Sequence, residues 1–394
     1  MELNQDAVNA IIKDRIPLKI SIIGVGNAGN QLLNEAVKRD NVRVFAINSS
    51  GKDLDNAVTD KSIPSFIIGR EAKGAGKDRA NGVELFMQNG EDLATQVPTF
   101  QDVCDRGDII IVAGSTAGGT GSGVAPKLIQ LLQSMYRNKI IMYIGILPRM
   151  TDAPLAQRNA VECVQEIQDL KVPYMLADLE YYQGVPNHEA YQDIQKYIMN
   201  MVDIMGGKGL NHSMYGMIDE NDMRVILSEP GYLSMYDLQG VTQTQLDKSS
   251  LQSMMVNLIK HSPAAERMRN GVIRQMGVIL NVPGELSDAS MSSDYTELTN
   301  YIGTPISIFE NFANVPTATA QMIIILSGQS TPIGRLQAMG EKAKQVSTEI
   351  DYNLKDLVNG FSAKRASNID LSGESKENDA EAQKAAAMSF FHKK

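Results

Sequence analysis

A buried strand in this chain runs directly into four glycines and then a helix. The text is DIIIVAG at 108–114, then Ala117-Gly118-Gly119-Thr120-Gly121-Ser122-Gly123, then VAPKLIQLLQSM. A near-continuous Ile/Val run reads as a strand covered on both faces, which belongs to a parallel sheet flanked by helices. A structural turn needs one or two glycines. Four within seven residues gather backbone N–H groups into a nest at a helix N-terminus, which suits a di- or triphosphate.

The same pattern occurs earlier. LKISIIGVG, NAGNQLLNEAVKR and VRVFAIN spell a β-α-β unit from Leu18, and KIIMYIGIL at 139–147 supplies a further strand. The first turn, Gly24-Val25-Gly26-Asn27-Ala28-Gly29, satisfies G-x-G-x-x-G, a spelling shared with dinucleotide folds. No Asp or Glu closes the second strand, which ends in Asn48, Ser49 and Ser50, and this argues against a dinucleotide. A third stretch, GREAKGAGK from Gly69 to Lys77, can fold over a terminal phosphate through its backbone, with Gly74 and Gly76 supplying the flexibility and Lys77 a charge. It is not G-x-x-x-x-G-K-[ST], so a P-loop is excluded.

Further along, apolar residues at Ile194, Ile198, Met201, Val202 and Met205 predict a long buried helix beginning near Tyr191. The runs RVILSEPG from Arg224, RQMGVILNVPG and QMIIILSG read as strands of a second, smaller α/β domain. Thr331-Pro332 predicts the start of a helix patterned by Leu336, Met339, Ala343, Val346, Ile350 and Leu357. The predicted organisation is an N-terminal helix at 1–17, a Rossmann-like parallel-sheet α/β domain at 18–190, a central helix at 191–208, a second domain at 209–330, a C-terminal helix at 331–359 and a disordered tail at 360–394. The tail ends in Phe390 and Phe391 followed by basic groups, the composition of a docking peptide.

Charge narrows the partners. With 37 basic against 46 acidic residues the chain carries a net charge of −9, which argues against gripping DNA directly. Cys104 and Cys163 are the only cysteines and form no CxxC, so neither a disulfide framework nor a structural zinc site is expected. No apolar run approaches the ~18 residues of a membrane span, so a cytoplasmic protein is expected. One acidic pair stands out: Asp219 and Asp222, three apart, share a face of one helical turn. Taken alone, they are acids favoured at a helix N-terminus by the dipole.

Ala117 to Gly123 matches the glycine-rich signature of the tubulin/FtsZ superfamily, and GVGNAGN, AINSS, GAGK and GILPR stand in that family's order and at similar distances. The resemblance covers roughly residues 18–330 and implies a GTPase that polymerises head to tail, with a nucleotide domain, a central helix and an activation domain. It puts Gly24, Gly26, Asn27, Ala28 and Asn30 of the first loop, Asn48, Gly74 and Gly76, and Gly118, Gly119, Thr120, Gly121 and Ser122 around GTP or GDP. PRMTDAPLAQR resembles the ribose loop, with Asp152 on the acidic contact and Ala156 where the family has arginine. Tyr191 and Gln195 take the places of the residues that meet the guanine ring and its edge. Asp178 stands where the family has asparagine; a carboxylate there would accept from guanine N1–H and N2–H and repel adenine. Asp219 and Asp222 fall on the synergy loop, whose acids enter the neighbouring subunit's site and orient the attacking water, with Mg²⁺ neutralising charge. The family's asparagine two residues before the first acid is Met217 here.

Within the superfamily, INSSGKDLD, SEPGYLSM, the long terminal helix and the FFHKK ending resemble the TubZ-type partition tubulins of large plasmids and prophages. That implies treadmilling filaments that pull a DNA-bound adaptor of TubR type, held through the tail. A phage spindle tubulin, an FtsZ-like division protein and a nucleotide-binding scaffold without hydrolysis are the alternatives.

Overall fold

The computed structural model describes residues 18–69, 71–212, 216–266, 271–283 and 295–344. The predicted helix at 1–17, the predicted C-terminal helix beyond 344 and the tail with Phe390 and Phe391 lie outside these residues. In chain order the elements begin with β1 (Ile20–Val25), α1 (Gly26–Ala36), β2 (Val42–Asn48), α2 (Gly51–Ala57), β3 (Ser65–Ile67), α3 (Arg79–Gln96), α4 (Pro98–Arg106) and β4 (Ile109–Ser115). They continue with α5 (Gly119–Met135), β5 (Ile140–Leu147), α6 (Pro154–Asp169), β6 (Pro173–Asp178), α7 (Asn187–Met205), α8 (Glu220–Ser228) and β7 (Gly231–Val241). The last are α9 (Leu251–Lys260), β8 (Ile273–Pro283), α10 (Thr296–Ile302), β9 (Pro305–Val315), β10 (Ala320–Gln329) and α11 (Ile333–Ala343). None of these helices is long and apolar enough to cross a membrane.

The chain divides into two compact units, one comprising the described parts of 20–172 and 333–344, the other residues 18–19 and the described parts of 173–332. In the first, the strands lie in the order β3-β2-β1-β4-β5 and every pair is parallel. Strands β1 and β5 are buried throughout, as their unbroken apolar text requires. The β1–β4 register runs from Ile20 opposite Ile109 to Val25 opposite Gly114, so the two strands end side by side. Strand order reverses here, and the crevice outside the carboxyl ends at such a switch point is where open α/β sheets bind ligands. Helix α11 belongs to this unit and buries Leu336, Met339 and Ala343, the part of the predicted stripe that is described.

In the second unit the order is β6-β7-β10-β8-β9, antiparallel from β7 through β10 to β8 and parallel at both margins. One face of this sheet supplies Met276, Val278, Leu280, Met322, Ile324 and Leu326 to a core closed by Leu251 and Met255 of α9 and Leu298 and Ile302 of α10. Helix α7 buries Ile194, Ile198, Met201, Val202 and Met205, the whole predicted stripe.

One predicted strand is wrong. Residues 224–228 of the RVILSEPG run close α8 rather than forming a strand, and the next strand starts only at Gly231. The cause lies upstream: the Asp219 side chain accepts from Asp222 N–H and the Asp222 side chain from Asp219 N–H, a reciprocal cap that starts the helix. Met223, Ile226 and Leu227 then fall on one buried face while Val225 is exposed, a helical and not an alternating pattern.

Candidate functional site

The first loop turns at Gly26, whose φ of +70° an L side chain rarely adopts. A Cβ there would also lie 3.2 Å from the Gly121 amide nitrogen, so this turn and the glycine-rich loop touch backbone to backbone. Helix α1 therefore begins immediately beside helix α5. Neither N-terminus has a side-chain cap or an acid in its first turn. The first N–H groups of any helix lack intrahelical partners and carry its positive end, so two such ends side by side form a ready anion cradle.

The four glycines divide the labour differently from the sequence reading. Only Gly118 faces open space; a Cβ on it would meet nothing within 4 Å. On Gly119 it would lie 2.7 Å from the Asp78 carbonyl oxygen, on Gly121 2.5 Å from that of Ser115, and on Gly123 2.5 Å from that of Arg79. Three of the four are thus required for close packing against the strand end and α3, and that packing fixes where the open N–H groups point.

Polar side chains lock the surrounding loops. Asn48 Oδ1 accepts from the N–H groups of Ser49 (2.8 Å) and Ser50 (3.3 Å), shaping the turn after β2. The hydroxyls of Ser49 and Thr120 are 2.6 Å apart, joining that turn to the glycine-rich loop. Asn48 Nδ2 is buried and has no protein partner. Asn30 is fully buried and donates to Ile47 O at 3.2 Å, so it ties α1 to the end of β2. Asn27 is exposed and Ala28 buried. Ser122 donates its hydroxyl to Gly118 O within the glycine-rich turn.

The third loop lies along the β2 turn: Gly51 N–H donates to Ala72 O (3.1 Å) and Gly74 N–H to Ser49 O (2.8 Å). It is unusually strained, with positive φ at Ala72, Gly74, Gly76 and Lys77. In the 148–152 turn, Asp152 Oδ2 accepts from Arg149 N–H at 2.9 Å, so one carboxylate oxygen is spent locally. Arg158 pairs with Glu162 at 2.9 Å on its own helix. Helix α11 reaches the same turn through Arg335, which donates to Pro148 O, and Lys342, which donates to Met150 O.

Five further predicted residues stand on the second unit. Asp178, 7% exposed, receives Glu180 N–H at 3.0 Å and caps the short 3₁₀ turn after β6. Tyr191 and Gln195 are half-buried and one turn apart on α7. Asp219 is exposed and Asp222 half-buried; their mutual bonds of 2.8 and 3.1 Å use one oxygen of each. Sequence reading missed a polar ladder in this unit. Lys208 meets Asp237 at 2.9 Å, Gln321 donates to Asp237 and Asn281 to Gln321. Asn281 also donates to Gly209 O, and Asn211 donates to Asn281 Oδ1 at 2.9 Å. The ladder fixes the segment after α7, a few residues before the acidic pair. Its members are scattered over more than 100 residues, so no spacing signal announces it.

Residues 19–172 match the model of the Tubulin/FtsZ family GTPase domain. The tubulin-like protein TubZ of Clostridium botulinum C phage is 26% identical over 257 residues, covering 64% of this chain and 66% of its own length. The solved structure of C. botulinum phage c-st TubZ with its C-terminal tail truncated superposes with a TM-score of 0.67 at 21% identity, covering 84% of this chain and 98% of that one. A GTPγS-form protofilament of TubZ from Bacillus thuringiensis serovar israelensis gives 0.65 at 14% identity, over 87% of this chain and 96% of that one. The chain thus has a tubulin-type α/β fold, with the cradle at the β1–β4 switch point, and its residues 19–172 are similar to the GTPase domain of the tubulin/FtsZ family.

Proposed function

We propose that this chain binds and hydrolyses GTP in the cytoplasm and assembles head to tail into filaments, each active site being completed by the next subunit. One observation carries the reading: the adjoining, uncapped, acid-free N-termini of α1 and α5. Asn48 Nδ2, buried and unmatched, supports it, since a phosphate oxygen would satisfy that donor. In this reading Gly24, Gly26, Asn27 and Ala28 with Gly118, Gly119, Thr120, Gly121 and Ser122 hold the phosphates, Asn30 and Asn48 set the loops, and Gly74 and Gly76 cover the terminal phosphate. Asp152 takes the ribose. Tyr191, Gln195 and Asp178 are assigned to guanine on the family resemblance.

For hydrolysis the chain's own contribution is backbone N–H groups against the developing phosphate charge, and two carboxylates that position water. Asp219 and Asp222 suit the second task because each keeps an oxygen outside the capping bonds. Among the described residues no group of three or more His, Cys, Asp or Glu is placed to hold a metal. Magnesium, which commonly rides on substrate phosphates, would therefore be held chiefly by the nucleotide and would neutralise its charge.

At a finer level we assign the filament to segregation of plasmid or prophage DNA through a DNA-bound adaptor of TubR type. The likeness to a phage TubZ supports this, and the net charge of −9 favours an adaptor over direct DNA contact. The terminal peptide with Phe390 and Phe391 is its proposed docking segment. Sedimentation with GTP, ATP or no nucleotide tests the core reading: pelleting with GTP alone is expected, and equal pelleting with ATP overturns the guanine assignment. Deleting 386–394 should spare assembly and weaken co-pelleting of the adaptor; a shifted critical concentration with unchanged adaptor binding would refute the docking role.

A further inference from the structure

The third loop is tethered from a side that no motif marks. Asn159, in α6 and 2% exposed, donates its side-chain amide to two main-chain carbonyls, Lys77 O at 3.1 Å and Ala117 O at 3.0 Å. One acceptor ends the third loop and the other opens the glycine-rich loop, so a single buried amide spans both. Two residues past Lys77, Arg79 starts α3, and its guanidinium meets Glu166 of α6 at 2.7 Å and Glu162 at 3.9 Å. Helix α6 thus grips the junction of loop and helix at two successive points. Lys77 has a φ of +62°, a conformation a non-glycine residue keeps only when its surroundings hold it there. The bond from Asn159 to its carbonyl is one such hold, and close packing of Gly119 against Asp78 removes the slack on the other side.

We propose that Asn159 is a positioning residue for the terminal phosphate: it sets the separation between the third loop and the glycine-rich loop, and so makes the site prefer a nucleoside triphosphate to a diphosphate. The inference rests on reading the cradle as a guanine-nucleotide site. The N-termini of α1 and α5 are fixed by the strands they follow and serve the inner phosphates of either nucleotide. The third loop follows only β3, a three-residue strand at the margin of the sheet. It depends on backbone pairing with residues 49–51 and on α6 for its place. Removing the amide takes a donor from two carbonyls, that of exposed Lys77 and that of half-buried Ala117, and frees a strained turn, which weakens contacts to the terminal phosphate alone.

The test is equilibrium binding of fluorescent GTPγS and GDP to the full chain below its assembly concentration, for wild type, Asn159→Ala and Asn159→Asp, with thermal melts alongside. The expected result is a loss of GTPγS affinity of roughly tenfold with GDP affinity changed less than about twofold. Equal losses for both nucleotides, or none, would overturn the proposal. Should neither variant fold, Asn159→Ser, small and still a donor, takes their place: a selective, smaller loss for GTPγS supports the proposal, and a non-selective one overturns it. Wild type that binds neither nucleotide overturns the parent reading and this inference together, whereas tight wild-type binding with indifferent variants overturns this inference alone.

Discussion

Asp219 and Asp222 have two roles that a single alanine substitution confuses. Each side chain caps the other's backbone N–H, at 2.8 and 3.1 Å, and each is proposed to orient water at a neighbouring subunit. Losing an N-cap costs about 1 kcal/mol of stability, which lowers the melting temperature by a few degrees in a chain with units of this size. Losing a water-orienting group should slow hydrolysis by about 10²–10³, equivalent to roughly 2.7–4 kcal/mol of transition-state stabilisation. Asparagine separates the two, because it caps as well as aspartate but carries no charge. Asp219→Asn and Asp222→Asn should melt close to wild type, pellet with GTP and release phosphate 10²–10³-fold more slowly, giving filaments that persist. The alanine variants should show the same slow release and a lowered melting temperature as well. The assay is phosphate release at a fixed polymer mass, read beside a thermal melt. If the asparagine variants hydrolyse GTP at the wild-type rate while alanine lowers both quantities, the acids are helix caps and the catalytic assignment falls.

Two further predictions follow from packing. Gly121→Ala drives a Cβ to 2.5 Å from the Ser115 carbonyl oxygen, whereas Gly118→Ala meets nothing within 4 Å; the first should cost on the order of 1–3 kcal/mol in melts, while the second should leave stability within about 0.5 kcal/mol yet weaken nucleotide binding where the backbone meets phosphate. Cys104 and Cys163 are fully buried, and burial raises both thiol pKa values, that of Cys163 to about 11. With the folded pKa that high, thiolate is scarce at pH 8, so a disulfide reagent should label neither cysteine in the native protein and both in guanidinium; rapid native labelling would contradict the burial.

Where neighbouring residues decide a structure, the sequence was legible. The β1-turn-α1-β2 unit, the strands around the glycine-rich loop and the buried stripe of α7 follow from local periodicity and glycine placement. What escaped was decided at a distance. The RVIL run has the β-branched text of a strand, but a reciprocal cap three residues long starts a helix through it. The sequence reading marked no helix across 79–106, where α3 is packed against the glycine-rich helix through Gly82 and Gly123. Asn159 carries no motif because its partners are 82 and 42 residues away. The sequence reading gives all four signature glycines to a phosphate loop, yet three of them are demanded first by backbone packing, a cause visible only when strand, loop and α3 are assembled.

If one subunit lacks a complete active site, as proposed, hydrolysis must depend on protein concentration. The total rate of GTP turnover, measured with dilution from micromolar to nanomolar, should be near zero below a critical concentration and rise linearly with polymer above it, with the onset matching that of pelleting. A turnover per subunit that stays constant through the dilution, with no polymer present, would contradict the account.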